Sequence, residues 1–223
     1  MKQDLDAFTD TLAQSFLKNF DYHQLPEDQF THKKYPKLLP MMKFHVKGYE
    51  IETYGHLFTM YTNGMKGMMQ LFTLVFTPNK GKNVPFFLLD GMVMKKKQCV
   101  FVEFYDCTKN HLQCPSLQEN HQKFASFPEY SEKPAWYISE RTKDSLIKGG
   151  DDQKALLLMA QESVSAYAHA CKDAGTDQAN LIGLRVFQER MLKDGNPSSA
   201  TLEKVLGKEE AAAFFRHHIM PCG

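Results

Sequence analysis

A series of short strands separated by tight turns, from about residue 43 to residue 106, most constrains how this chain can fold. The breaks are a few residues long and lie at Asn63-Gly64, Pro78-Asn79-Lys80-Gly81 and Lys95-Lys96-Lys97. Turns this short connect antiparallel neighbours, because parallel strands require a crossover of about a dozen residues. The sequence therefore predicts an antiparallel sheet, with the lysine run at an exposed hairpin tip.

Two of the predicted strands are apolar on both faces. In one, Met69, Leu71 and Val75 alternate with Met68, Phe72, Leu74 and Phe76; in the other, Val100, Val102 and Phe104 alternate with Phe101 and Tyr105. Successive side chains of a strand point to opposite faces, so other elements must cover both faces of this sheet.

Helical patterns flank the strand region. Leu5, Phe8 and Leu12 recur at helical spacing and predict a helix over residues 4–19, before a proline-containing loop at 21–40. In the C-terminal half, the same pattern predicts helices over residues 151–173, 184–193, 200–206 and 209–219. This order predicts a single domain over residues 1–223, an α/β fold built as a three-layer α/β/α sandwich with a central antiparallel sheet.

Composition limits the classes of partner. The chain has 223 residues, a formal net charge of +1 and a pI near 7.7, which argues against nucleic acid as the main partner. No apolar run approaches the length of about 18 residues that a transmembrane helix needs, so no membrane partner is expected. The five cysteines are odd in number and include no CxxC pair, which predicts a reducing cytoplasm and no metal site. Consecutive His217 and His218 do not share a helical face and are poor metal ligands together.

Asp90 is the candidate catalytic residue. It lies at the end of an apolar strand, on the face that Phe86 and Leu88 share. An ionised carboxylate on an apolar face is costly, so Asp90 is either paired or has its pKa raised by desolvation. A carboxylic acid that keeps its proton near neutral pH can donate it to a substrate. The alternative is an aspartate that caps a turn at Gly91.

His56 and Glu103 are two further polar residues within apolar strands. His56 lies on the same alternate face as Phe58 and Met60, either as a hydrogen-bonded core histidine or as a proton donor or substrate clamp that faces Asp90. Glu103 interrupts the apolar strand at residues 100–105, and a cross-strand partner such as a lysine is the simplest explanation.

Four local motifs resemble the ferredoxin-dependent bilin reductases, in the same order and with broadly the same spacing over nearly the whole chain. They are Gln24-Leu25-Pro26-Glu27-Asp28; Phe76-Thr77-Pro78 with the following Val84-Pro85-Phe86 through Asp90; Phe127-Pro128-Glu129-Tyr130 to Trp136; and Gln188 through Asn196-Pro197 to Gly207, followed by a helix with Phe214 and Phe215.

This resemblance implies an enzyme that reduces a linear tetrapyrrole, normally biliverdin, held between the sheet and the C-terminal helices. It implies single-electron transfers from reduced ferredoxin through substrate radicals, with no metal and no bound organic cofactor. Asp90 matches the family's proton-donating aspartate. The residues predicted to bind substrate are Asn196, Thr73, Phe58, Met60, Phe86, Leu88 and Glu103. Arg185 and Arg190 are the candidates for holding the propionates.

The chain departs from the family pattern at two positions. Thr73 lies close to the place of a histidine in the phycocyanobilin-type enzymes and cannot serve as an acid; His56 is the candidate replacement, through an alignment that needs a gap. Asn196 stands where several members have an aspartate, and an amide does not donate a proton as a carboxylic acid does. Fewer reduction steps, or a different reduced ring, are expected unless Asp194 substitutes.

Two alternatives remain open from the sequence. The same site in a non-catalytic protein would bind a bilin or haem without reducing it, with Thr73 and Asn196 as marks of lost chemistry. A reductase of chlorophyll catabolites, a group that resembles the same family, would keep the chemistry and change the substrate.

Overall fold

The structure is a computed structural model that describes residues 4–32, 34–35, 42–94, 97–108, 112–196 and 199–222. The helices are α1 (Leu5–Leu17), α2 (Pro115–Phe124), α3 (Gln153–Asp173), α4 (Gln178–Lys193), α5 (Ser199–Leu206) and α6 (Lys208–Phe214), which continues as a π-helix over Phe215–Ile219. The strands are β1 (Tyr22–Gln24), β2 (Lys34–Tyr35), β3 (Met42–Ile51), β4 (Gly55–Gly64), β5 (Met69–Thr77), β6 (Phe86–Met94), β7 (Lys97–Tyr105) and β8 (Leu146–Gly149). None of the described helices is both long and apolar enough to cross a membrane.

The described strands form one antiparallel sheet of eight members. Its order is β1-β3-β4-β5-β6-β7-β8, and β2 also pairs with β3. The predicted meander is therefore confirmed from β3 to β7. Residues 95 and 96 of the lysine run lie outside the described residues, whereas Lys97 begins β7.

The shorter elements were not predicted. Strands β1 and β2 lie in the segment expected to be loop, and α2 and β8 also had no predicted counterpart. Helix α4 begins at Gln178, earlier than predicted, because the Asp177 side chain accepts a hydrogen bond from the Ala179 N–H at 2.8 Å. Gly183 lowers the helix propensity of this segment. A side chain does not fit at this position, because an added Cβ would lie 2.1 Å from the Cys107 carbonyl oxygen.

One face of the sheet packs against α1 and α3, with α2 beside α3. Tyr167 of α3 stacks on Phe87 and Phe104 of the sheet, with ring centroids 4.6 and 5.9 Å apart. Its hydroxyl donates a hydrogen bond to the Pro85 carbonyl oxygen at 2.5 Å, so the buried polar tip is satisfied.

The opposite face packs against α4, α5 and α6. Phe86 contacts Phe187 of α4, with ring centroids 6.0 Å apart, and Phe58 contacts Phe214 of α6 at 5.8 Å. Helices therefore lie on both sides of the sheet, and the predicted three-layer sandwich is confirmed. Beyond α4 and α6, the same face of the sheet borders a cavity.

Candidate active-site cavity

A cavity of about 550 Å³ lies on the face of the sheet that carries Asp90. Strands β3 to β7 supply its floor, and α5 and the segment from Tyr130 to Arg141 supply its walls. Polar side chains line it, including those of Thr62, Thr73, Asp90, Glu103, Lys97 and Lys133. The volume lies within the range of about 300–1,000 Å³ typical of small-molecule sites.

Strand register brings the floor residues together in two rows across the sheet. The row with Asp90 consists of the cross-strand partners Met60, Thr73, Asp90 and Phe101. The next row contains Phe44, Thr62, Leu71 and Met92. Partners in antiparallel strands point to the same face, so both rows face the cavity.

Asp90 is partly exposed to the cavity and accepts a hydrogen bond from the Thr73 hydroxyl at 2.5 Å. Burial raises the pKa of Asp90 from 3.8 to about 6, although the Thr73 hydrogen bond acts in the opposite direction. Gly91 lies inside β6, so the explanation of Asp90 as a turn cap is wrong. A Cβ at Gly91 would lie 2.0 Å from the Phe72 ring, which packs against it from the other face.

The raised pKa of Asp90 predicts a measurable dependence of stability on pH. The folded protein holds this proton more tightly than the unfolded chain, so Asp90 contributes most stability below pH 4 and loses that contribution as pH rises through about 6. We expect the free energy of unfolding of wild type, relative to Asp90→Asn, to fall by about 2 kcal/mol between pH 4 and pH 7. Urea denaturation of both proteins across this range measures it; a constant difference would contradict the raised pKa.

Glu103 lies beside Asp90 on the cavity floor, and its partner is an arginine. Arg141 donates to Glu103 from Nε at 2.5 Å and also to both carboxylate oxygens of Glu132, at 2.5 and 2.9 Å. The expected cross-strand partner is therefore an arginine, which pairs with Tyr105 of β7 through an antiparallel bridge, and not a lysine. The Tyr105 hydroxyl donates to Glu103 as well, at 2.9 Å. Burial, with the nearby Asp90 charge, raises the pKa of Glu103 to about 7 against the lowering effect of Arg141.

The cavity wall is held by backbone pairing with β8. Tyr130 N–H donates to the Ile147 carbonyl oxygen at 3.0 Å, and Gly149 N–H donates to that of Pro128 at 2.9 Å. Buried Lys148 donates to Glu129 and to the Ala125 carbonyl oxygen. These contacts place the side chain of Tyr130 and the following residues along the edge of the cavity.

His56 does not reach the cavity. It shares the face of Met60 but lies four positions away along β4, a distance of about 13 Å. Its Nε2 lies 2.9 Å from the His218 carbonyl oxygen, and its Nδ1 lies 3.9 Å from a Glu50 carboxylate oxygen. The structure therefore places His56 as a hydrogen-bonded residue under the C-terminal π-helix, away from Asp90.

The predicted substrate-binding residues divide between two places. Met60, Thr73 and Glu103 line the main cavity. Phe86, Leu88 and Asn196 line a smaller space of about 10 Å³, which shares Met60 and Thr73 with the main cavity. Phe58 is fully buried beneath α6. Asn196 donates to the Met191 carbonyl oxygen at 3.3 Å, and Pro197 lies outside the described residues.

The arginines proposed to hold propionates lie elsewhere. Arg185 donates to the Cys222 carbonyl oxygen at 3.3 Å, and Arg190 pairs with Glu140 at 2.7 Å and Asp194 at 3.5 Å. The cavity is instead lined by Lys97, which belongs to the lysine run noted in the sequence, and by Lys133 and Arg141, which the sequence patterns did not single out. The signal nearest to Lys133 and Arg141 was the aromatic motif from Phe127 to Trp136. Among the described residues, no group of three or more His, Cys, Asp or Glu could hold a metal ion.

Comparison with known proteins adds a structural relative. No protein-family model and no curated protein matches the chain. The solved structure of tomato phytochromobilin synthase in complex with biliverdin is similar, with a TM-score of 0.76 and 9% sequence identity, over 99% of this chain and 85% of that chain. At this identity the likeness establishes the fold.

Proposed function

We propose that this protein reduces a linear tetrapyrrole, biliverdin or a close relative, with electrons from a reduced ferredoxin. The observation that carries the proposal is Asp90, a carboxylic acid with a pKa near 6 on the floor of a cavity of about 550 Å³. Such a group is half protonated at about pH 6 and keeps the proton in about a tenth of molecules at pH 7, which suits it to donate a proton. The biliverdin complex of the structural relative supports the substrate class.

The chemistry balances with two electrons and two protons for each double bond reduced. The first ferredoxin gives one electron, which converts the conjugated substrate to a radical anion of higher basicity. Asp90 transfers its proton to that radical and becomes a carboxylate, which the donated Thr73 hydrogen bond stabilises. A second ferredoxin supplies the second electron, and water supplies the second proton and restores the Asp90 acid.

The cavity surroundings support this substrate and this donor. Lys97 and Lys133 are exposed side chains at the cavity edge, where they would attract the propionates of a bilin. An acidic electron donor would be attracted to the same edge. The five cysteines, all within the described part of the chain, form no disulfide, which is compatible with a reducing compartment such as the cytoplasm.

An anaerobic absorbance time course tests the proposal. Biliverdin is mixed with the protein, and reduced ferredoxin with a regenerating system is then added. A long-wavelength bilin band that decays into a new product supports the reductase. A bound spectrum that does not respond to electrons indicates a bilin-binding protein, and reduction of a chlorophyll catabolite in place of biliverdin would change the substrate. No spectral change on mixing would overturn the proposal.

The lysines at the cavity edge provide a separate prediction. We expect Lys97→Gln and Lys133→Gln each to weaken biliverdin binding about two- to fivefold, because exposed ion pairs contribute little individually. The loss should shrink at high salt and be absent with the dimethyl ester, which lacks the carboxylate charges. Fluorescence-quenching titration measures the affinities, with Lys154→Gln on α3 as the control. Equal losses for acid and ester would contradict propionate binding here.

A further inference from the structure

The hydroxyl of Thr62 is a buried polar group that lacks a hydrogen-bond partner among the described residues. Thr62 lies on β4, is 1% exposed and lines the cavity. Buried hydroxyls are nearly always bonded, because an unsatisfied one keeps the cost of its lost hydration. Thr73, in the neighbouring row, donates to Asp90, so the two threonines differ. The Thr62 hydroxyl therefore has no acceptor within the described part of the protein, and because it has almost no exposed surface, a group bound in the cavity reaches it only when the adjoining side chains shift.

The surroundings of Thr62 select a neutral group. Its cross-strand neighbours are Phe44 and Leu71, whose apolar side chains line the cavity, as does that of Leu202 on α5. A charged carboxylate placed among these side chains would lose its hydration and gain one hydroxyl in return. A carbonyl oxygen is far less costly to desolvate and accepts the same hydrogen bond.

The cationic side of the cavity lies across the sheet from Thr62. Lys97 begins β7, whereas Thr62 is on β4, so three strand spacings of about 4.8 Å separate the two strands. Lys133 and Arg141 line the cavity from the wall segment next to β7 and β8. The cavity is thus apolar around Thr62, whereas its other end carries the exposed Lys97 and Lys133 beside Arg141, whose charge is paired with Glu103 and Glu132.

We propose that Thr62 orients the ligand by donating a hydrogen bond to a terminal lactam carbonyl oxygen of the tetrapyrrole. The charged propionates then lie toward Lys97 and Lys133, and the orientation decides which part of the conjugated system faces Asp90. Thr62 is a specificity-determining residue in this arrangement. The inference rests on the proposed function, since it assigns a role within the same site.

Binding measurements on matched variants test this role. Thr62→Val keeps the shape of the side chain and removes the hydroxyl, and Thr62→Ser keeps the hydroxyl. We expect the valine variant to bind biliverdin about three- to tenfold more weakly, with serine close to wild type. Thr59→Val is the control, because Thr59 is buried on the same strand with its side chain on the opposite face. The loss should persist with the dimethyl ester, in contrast to the losses of the lysine variants.

Two further measurements separate orientation from general damage. The unliganded Thr62→Val protein should melt at the wild-type temperature or above, because the substitution removes an unsatisfied buried group. Its turnover should give a changed ratio of reduction products. Unchanged affinity, an equal loss for Thr59→Val, or a loss that disappears with the ester would each overturn the role of Thr62 while the proposed function stands. If the wild-type protein does not bind biliverdin, the proposed function fails and this inference fails with it.

Discussion

Asp90→Asn should bind biliverdin with nearly wild-type affinity and reduce it about 10²- to 10⁴-fold more slowly. The amide has the same shape and can still accept the hydrogen bond from the Thr73 hydroxyl, so the cavity floor keeps its geometry. It cannot donate a proton as a carboxylic acid does, so the one-electron-reduced substrate should persist. Stopped-flow absorbance and electron paramagnetic resonance under anaerobic electron supply measure the rate and the radical.

Two further variants make this result specific to the acid. Thr73→Val keeps the carboxylic acid and removes the hydrogen bond that lowers its pKa, so activity should survive with its pH profile moved to higher pH. Asp144→Asn is the matched control, because Asp144 is a buried carboxylate with a raised pKa that does not line this cavity. If Asp90→Asn kept more than about a tenth of the wild-type rate, Asp90 would not be the main donor.

Arg141→Met should destabilise the fold by about 3–5 kcal/mol, since it leaves buried charge without its partner. The side chains of Arg141 and Glu103 are 8% and 2% exposed, and the same guanidinium also holds Glu132. For a chain of this length the melting temperature should fall by about 6–20 °C. Calorimetry or thermal circular dichroism measures the change.

The second substitution Glu103→Gln should recover much of the loss in Arg141→Met, because it removes the stranded charge. Low pH should also reduce the loss of stability in Arg141→Met. Without the guanidinium the pKa of Glu103 rises further, so the folded variant holds this proton more tightly than the unfolded chain does. Its stability should then fall as pH rises from about 4 to above 7.

Arg190→Met is the control for burial. The Arg190 side chain is 42% exposed and paired with Glu140, so its loss should cost at most about 1 kcal/mol. Equal losses for the two arginines would contradict the importance of burial.

Some of the site is encoded in local patterns. Alternation along β6 determines that Phe86, Leu88 and Asp90 share a face, and the apolar neighbours of Asp90 determine that its carboxyl is costly to ionise. The short turns between β3 and β7 determine antiparallel neighbours, because no crossover fits within them. Fold class and the leading acid are therefore readable before any long-range contact is known.

The rest of the site depends on which remote segments meet. Arg141 reaches Glu103 over 38 residues of chain, and Thr62 comes to the same cavity floor only through the register of β4 with β5. His56 lies on the same face of the sheet as the cavity but too far along β4 to reach it. The alternation of apolar and polar residues predicts the face of a side chain and not the part of the sheet that a cavity covers. A local sequence pattern predicts the face of the sheet to which a side chain points. The residues that it then contacts depend on how the strands and helices of the whole chain pack together. The sequence by itself therefore determined the sheet and its acid, whereas the tertiary structure decided the cavity, its cations and the unpaired hydroxyl.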